Sequence, residues 1–171
     1  IKTYRLNMNI SRFLNMVSDY KTRPCKEPLD SSLAEAFDAY QNFLKEWNLL
    51  DFDDLLLETL PIARENPRFS YLLVDEFQDI SPLEYQLVKA WNEGGKELFV
   101  IGDPDQSIYG FRGSDAGCFH RLAEDYPDAR RIVLEENYRS TPQLLAFASE
   151  IISKTPGGIR LLNPNRQDGK P

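Results

Sequence analysis

The stretch Tyr71-Leu72-Leu73-Val74-Asp75-Glu76-Phe77-Gln78-Asp79 constrains this chain more than any other segment. A four-residue apolar run, β-branched at Val74, is bounded by polar residues and ends on an acid pair. A run of that length with those flanks reads as a buried parallel strand. Acids at the carboxyl end of such a strand face the crevice where open α/β sheets bind ligands. In an NTPase one carboxylate there suits Mg²⁺, held directly or through water, and its neighbour suits the attacking water. The alternative is a strand that stops in a solvated acidic turn.

Leu98-Phe99-Val100-Ile101 is a second apolar run, and it leads straight into Gly102-Asp103-Pro104-Asp105-Gln106-Ser107-Ile108-Tyr109-Gly110-Phe111-Arg112-Gly113-Ser114. The segment between the two runs reads as a helix. Ser81 is an N-cap followed by Pro82 at the first helical position. Leu83, Leu87, Val88 and Trp91 repeat at helical spacing, and Gly94-Gly95 stops the helix. Strand, helix and strand in that order make a βαβ unit. Ile132-Val133-Leu134 reads as a further strand, and Thr141-Pro142 opens a helix carrying Leu144, Leu145, Phe147, Ala148 and Ile151. Tyr138 and Arg139 therefore fall on a strand-to-helix loop. Residues 71–75, 98–101 and 131–134 are expected to be parallel neighbours in one sheet with helices on its faces.

In this order and spacing, the segments resemble the superfamily 1 DNA helicases of the UvrD/Rep/PcrA type. Asp75-Glu76-Phe77-Gln78-Asp79 looks like the family's Walker B motif. Residues 102–113 look like the motif that couples ATP to single-stranded DNA, and Asn137-Tyr138-Arg139-Ser140-Thr141 looks like the start of a second motor domain. Phe52-Asp53-Asp54-Leu55-Leu56 matches a segment the family carries before its Walker B strand. The resemblance implies an α/β, P-loop NTPase (RecA-like) fold, a parallel sheet flanked by helices. It divides the chain into a helical piece of an inserted subdomain (1–50), the C-terminal part of the first motor domain (51–136) and the start of the second (137–171). The sequence departs from the family in having no G-x-x-x-x-G-K-[ST] phosphate loop and none of the closing motifs that include an arginine finger. The expectation is an internal fragment of a longer helicase, inactive by itself.

The resemblance implies ATP and Mg²⁺ as cofactors and assigns roles residue by residue. Asp75 would hold Mg²⁺ and Glu76 would act on the attacking water; the plainer reading is a capped turn. Gln78 would support the nucleotide site. Gln106 would sense the γ-phosphate and relay its state to DNA contacts, or else be a turn-stabilising amide. Tyr109 and Phe111 would offer rings to bases, which stack on aromatic faces, against core packing as the alternative. Many relatives carry Trp where Phe111 stands. Arg112 would meet a phosphate or a base, or form a structural ion pair. Tyr138 would stack on adenine and Arg139 would reach the γ-phosphate; otherwise they are helix-entry packing and a surface Arg. Asp103 and Asp105 are read as turn caps without chemistry. The implied partners are single-stranded DNA, duplex junctions and repair or recombination proteins, with no membrane, in the cytoplasm. A helicase–nuclease fusion and a non-hydrolysing scaffold are the rivals. The intact Asp75-Glu76, Gln106 and Arg139 weigh against the scaffold.

Composition sets bounds on these readings. A net charge of −7 argues against a broad nucleic-acid footprint but leaves room for a narrow channel. No run approaches the ~20 apolar residues of a membrane span. Cys25 and Cys118 have no metal-site spacing and read as packing thiols, and His120 as a surface or packing residue. Helical spacing links Ile10, Phe13, Leu14 and Val17, then Leu33, Phe37, Tyr40, Phe43, Leu44 and Trp47, with a Pro-containing break between them. A helix over 52–63 is expected to pack Phe52, Leu55, Leu56 and Leu60.

Overall fold

The computed structural model describes residues 8–22, 28–66, 69–110, 113–154 and 162–166. The chain forms two compact units, Ile1–Phe119 and His120–Pro171. The first unit begins with helices α1 (Ile10–Thr22), α2 (Ser31–Glu46) and α3 (Phe52–Glu65). Asp30 caps α2 by accepting the Leu33 N–H at 2.9 Å. Phe13, Val17, Leu33 and Ala36 make the α1–α2 core, with Phe37 and Tyr40 packed against it. The stripe is narrower than the sequence suggests. Ile10, Leu14, Phe43 and Trp47 are exposed, and the last two rest on each other with ring centroids 6.0 Å apart.

One ion cluster joins this helical pair to α3. Asp51 and Asp54 form a reciprocal capping box at the start of α3, each accepting the other's backbone N–H. Their remaining oxygens take the ammonium of Lys21, at 2.7 Å to Asp51 Oδ2 and 2.6 Å to Asp54 Oδ1. The Tyr40 hydroxyl donates to the same Asp51 oxygen at 3.0 Å. A lysine buried this deeply needs such partners, since an unpaired buried charge is costly.

Helix α3 then packs on α4 (Pro82–Asn92) through Leu60, Ala63, Leu83, Leu87 and Ala90, with Leu56, Leu57 and Trp91 at the margin. Phe52 and Leu55 do not join this core, and Phe52 is 87% exposed. The geometry explains both. The apolar stripe of α4 from Leu83 to Ala90 covers a length of roughly 10 Å at 1.5 Å per residue. Its contacts on α3 begin at Leu56, one turn beyond Phe52. Leu55 lies about 100° around the helix from Leu56. Helix α4 begins as its sequence demands, with Ser81 and Glu84 in a second reciprocal capping box and Pro82 in the first turn. It ends before Gly94, whose φ of +70° is the left-handed conformation that glycine adopts without strain.

Strands β1 (Tyr71–Val74) and β2 (Glu97–Val100) pair in parallel, with Leu72 opposite Leu98 and Val74 opposite Val100. Leu72, Val74, Leu98 and Val100 point to a half-buried face. Tyr71, Leu73 and Phe99 point the other way and are exposed. The strand expected to be buried on both faces is thus covered on one. Successive side chains alternate across a pleat, so a single covering layer shields only every second residue.

In the second unit, residues 131–134 are not a strand, and Ile132, Val133 and Leu134 are exposed. This corrects the expectation of a third strand in the β1–β2 sheet. An apolar extended triplet becomes a strand only when a neighbour takes up its backbone N–H and C=O groups, and no described residue does so here. The pairing that forms instead is β3 (Glu136–Asn137) with β4 (Asn163–Pro164), in parallel. Helix α5 (Gly117–Asp125) precedes β3, and α6 (Pro142–Ile152) follows it. Among the described residues no helix is long and apolar enough to cross a membrane.

Candidate functional site

The register of β1 and β2 brings two loops together. Beyond the strands the ladder continues for one more step. The Ile101 N–H donates to Val74 O at 2.8 Å, and the Phe77 N–H to Ile101 O at 2.9 Å. Asp75-Glu76 at the end of β1 and Gly102-Asp103 at the end of β2 are therefore neighbours. Asp75 Oδ1 accepts the Glu76 N–H at 2.9 Å. Glu76 has φ 52° and ψ 41°, the left-handed region that a residue with a side chain seldom occupies. A short 3₁₀ turn, Phe77–Asp79, follows it and leads to the Ser81 cap of α4.

Gln78 joins the two loops. It is 3% exposed. Its Nε2 donates to Glu76 Oε2 at 2.7 Å, and its Oε1 accepts the Asp103 N–H at 3.0 Å. Its backbone O accepts the Ser107 hydroxyl at 3.1 Å. Beneath it Phe77 is fully buried, with the Tyr85 and Phe119 rings edge-on at 5.8 and 5.0 Å. Gly102 closes the space above. A Cβ there would stand 2.8 Å from Gln78 Oε1 and 2.9 Å from both Phe77 N and Phe119 Cζ. Only glycine lets the two loops approach so closely.

The second loop carries the 3₁₀ turn Pro104–Gln106. Asp103 caps it, accepting the Asp105 N–H at 3.1 Å through Oδ1. Its Oδ2 accepts Gln106 Nε2 at 2.8 Å. Gln106 is itself exposed, and hydrogen bonds run from it through Asp103 and Gln78 to Glu76. Tyr109 follows on the same loop with its ring partly open to solvent. Phe111 and Arg112 lie outside the described residues. Cys118 is buried with its Sγ 3.8 Å from Ile80 O, and the exposed His120 faces Glu124 at 3.2 Å. Both are where a packing thiol and a surface histidine belong. Cys25 lies outside the described residues.

Tyr138 and Arg139 belong to the second unit. Asn137 shapes their loop, its Oδ1 accepting the backbone N–H groups of Arg139 and Ser140 at 3.0 and 2.8 Å. Arg166 Nη1 donates to Arg139 O at 2.8 Å. Both predicted side chains are exposed.

Asp75, Glu76, Gln78 and Gln106 thus share one site in the first unit. Among the described residues no cluster of three or more His, Cys, Asp or Glu side chains could hold a metal ion. Asp75 is a single exposed carboxylate. That suits Mg²⁺, a hard cation that keeps several waters and draws most of its ligands from substrate phosphates.

An acid pair clasped to a Gly-Asp turn at the carboxyl ends of two parallel strands lies where open α/β sheets bind their ligands. A family profile described as UvrD/REP helicase N-terminal domain matches residues 4–127, and the chain belongs to that family. ATP-dependent DNA helicase UvrD1 of Mycobacterium tuberculosis is 40% identical over 146 residues, covering 77% of this chain and 19% of that protein. ATP-dependent DNA helicase PcrA of Staphylococcus epidermidis is 37% identical over 164 residues, covering 88% and 22%. PcrA of Staphylococcus aureus is 36% identical over 181 aligned residues, covering 96% and 25%. The chain spans about a fifth to a quarter of the length of these curated relatives.

Proposed function

We propose that this chain is part of an ATP-dependent DNA helicase, carrying the acid pair and the coupling loop of a RecA-like P-loop motor that moves along single-stranded DNA. The observation that carries this reading is the hydrogen-bonded path from Glu76 through Gln78 and Asp103 to Gln106, on a chain whose relatives are named helicases. Asp75 would hold Mg²⁺ bound to ATP, and the bound metal would neutralise phosphate charge. Glu76, exposed at the strand end, would orient water and accept its proton. Gln106, at the outer end of the path, would meet the terminal phosphate. Tyr109 and Phe111 would stack on bases, and Arg112 would meet a phosphate or a base. Tyr138 would stack on adenine and Arg139 would contact the γ-phosphate. Residues 1–50, 51–136 and 137–171 would be pieces of the inserted subdomain and of the first and second motor domains. Work on duplex junctions in DNA repair, in the cytoplasm, follows from the same reading.

The test uses the full-length protein that contains this chain. Glu76→Gln removes charge at the water while keeping shape. It should lower DNA-stimulated ATP turnover by about 10²-fold or more, the scale of lost general-base catalysis, with ATP affinity nearly intact. Asp75→Ala should weaken Mg²⁺-ATP binding as well. Wild-type turnover by the Glu76→Gln protein would remove Glu76 from this role.

A further inference from the structure

Gln78 has a geometry that a nucleotide ligand does not need. Its amide is buried and engaged at both ends. The orientation of that amide follows from its partners. A backbone N–H can only donate, so Oε1 faces Asp103; a carboxylate can only accept, so Nε2 faces Glu76. The backbone carbonyl of the same residue is held by Ser107, one residue past Gln106. One side chain therefore touches the acid at the end of β1 and the turn at the end of β2. Glu76 sits in a left-handed conformation of the kind that persists only where surrounding contacts enforce it. The Gln78 amide supplies the contact to its carboxylate, and it can do so because Gly102 has no Cβ, which would stand 2.8 Å from Gln78 Oε1.

We propose that Gln78 is a positioning residue that ties the Glu76 carboxylate to the 103–107 turn, so that any movement of that turn redirects the acid. This rests on the helicase reading above and adds to it a specific mechanical link. Gln106 occupies the moving turn, and Gln78 is the part that transmits its displacement to Glu76. The carboxylate is aimed correctly when the turn is in one position and is drawn aside when it is in another, a shift between two arrangements of one hydrogen-bonded unit.

The experiment uses the full-length protein and two variants. Gln78→Met keeps length and burial but deletes both side-chain hydrogen bonds. Ser107→Ala removes only the hydroxyl on the Gln78 carbonyl. ATP turnover is measured at saturating single-stranded DNA, beside the Kd of a fluorescent ATP analogue. Gln78→Met should lower kcat by about 10–100-fold, the range seen when an outer-shell partner is lost, with Kd changed by less than about twofold. Ser107→Ala should lower kcat by about fivefold, the scale of one neutral hydrogen bond, again with Kd unchanged. Hydrogen exchange at the Asp103 N–H should be about tenfold or more faster in Gln78→Met, with amides of α4 unaffected. An unaltered kcat in a folded Gln78→Met protein overturns the proposal. A raised Kd with intact kcat overturns it in favour of a direct nucleotide ligand. If Gln78→Met does not fold, an unaltered kcat in Ser107→Ala overturns it. A wild-type protein that does not turn over ATP with DNA defeats the helicase reading instead. The exchange at Asp103 then decides the clasp separately, and unchanged exchange overturns it.

Discussion

Removing the charge of Lys21 should destabilise the first unit by an amount comparable to truncating a core side chain. The Lys21 side chain is 5% exposed, and its two carboxylate partners are 19% and 17% exposed. Lys21→Met keeps the aliphatic stem and deletes the charge. Asp51 and Asp54 then stand side by side with no cation, while each still serves the α3 capping box. Breaking a buried ion pair on one side costs about 3–5 kcal/mol. Because both carboxylates keep some contact with water, the low end, about 3 kcal/mol, applies. For a unit of this size each kcal/mol moves Tm by roughly 3–4 °C, so the expected drop is about 10 °C. The assay is thermal unfolding of the 171-residue chain followed by circular dichroism. Adding Asp51→Asn and Asp54→Asn should restore a good part of the loss, since asparagine still caps a helix and carries no charge. A drop below about 3 °C would show that the cluster behaves as an exposed ion pair, worth at most ~1 kcal/mol, and the reasoning from burial would fail.

The same cluster fixes two pH limits. Burial, then the hydrogen bond to Asp51 and the charges of Asp51, Asp54 and Asp53, push the Tyr40 phenol up to about 12. Its contribution is full below its ordinary value of 10.0 and is lost as pH rises towards about 12. Ultraviolet titration should show a late component from Tyr40 that returns towards the ordinary value in Asp51→Asn. Burial opposes ionisation of Asp51, but hydrogen bonds from Lys21, the Asp54 N–H and Tyr40 outweigh it and hold the carboxyl below its ordinary 3.8. That contribution is present above 3.8 and is lost as pH falls through the lower folded value. Finally, the 171-residue chain given Mg²⁺, ATP and single-stranded DNA should release no more phosphate than its Glu76→Gln variant, because its sequence holds no phosphate-cradling loop. Turnover above that control would mean that other residues build a phosphate site.

What the sequence displays is local, and what it conceals depends on partners distant in the chain. The βαβ unit is legible because its signals are short-range: a four-residue apolar run, the Ser81-Pro82-Leu83-Glu84 start, and the glycines after Asn92. The exposure of Tyr71, Leu73 and Phe99 is not legible, because an apolar residue looks the same whether or not a second layer covers its face. The absence of a strand at 131–134 has a similar cause, since apolar content proposes a strand and only a neighbouring backbone completes it. Lys21 is a different failure, because its partners lie 30 and 33 residues away. Yet a signal exists. Phe13, Val17 and Lys21 follow one another at i, i+4 and i+8 on the buried face of α1. A lysine that continues an apolar stripe asks for carboxylates, and Asp51-x-x-Asp54 is an acid pair already aligned by a capping box. Gln78 was legible as part of a motif but not as a clasp, since its second partner is a backbone N–H supplied by another strand's loop.

That last point shows why register matters more than composition in this site. Parallel pairing of Val74 with Val100 sets Asp75 beside Ile101 and leaves the next backbone donor of the second loop, the Asp103 N–H, within reach of Gln78. A slip of one residue would send each side chain of β2 to the opposite face of the sheet. It would also replace Gly102 at the point of closest approach by a residue whose Cβ has no space. The half-buried Leu98 and Val100 resist that slip, because it would expose them and bury Glu97 and Phe99 in their place against Leu72 and Val74. The apolar strands thus do more than end at the acids. By fixing which residues of two separate loops meet, they make it possible for one glutamine to link Glu76, which would act on water, to the turn that carries Gln106.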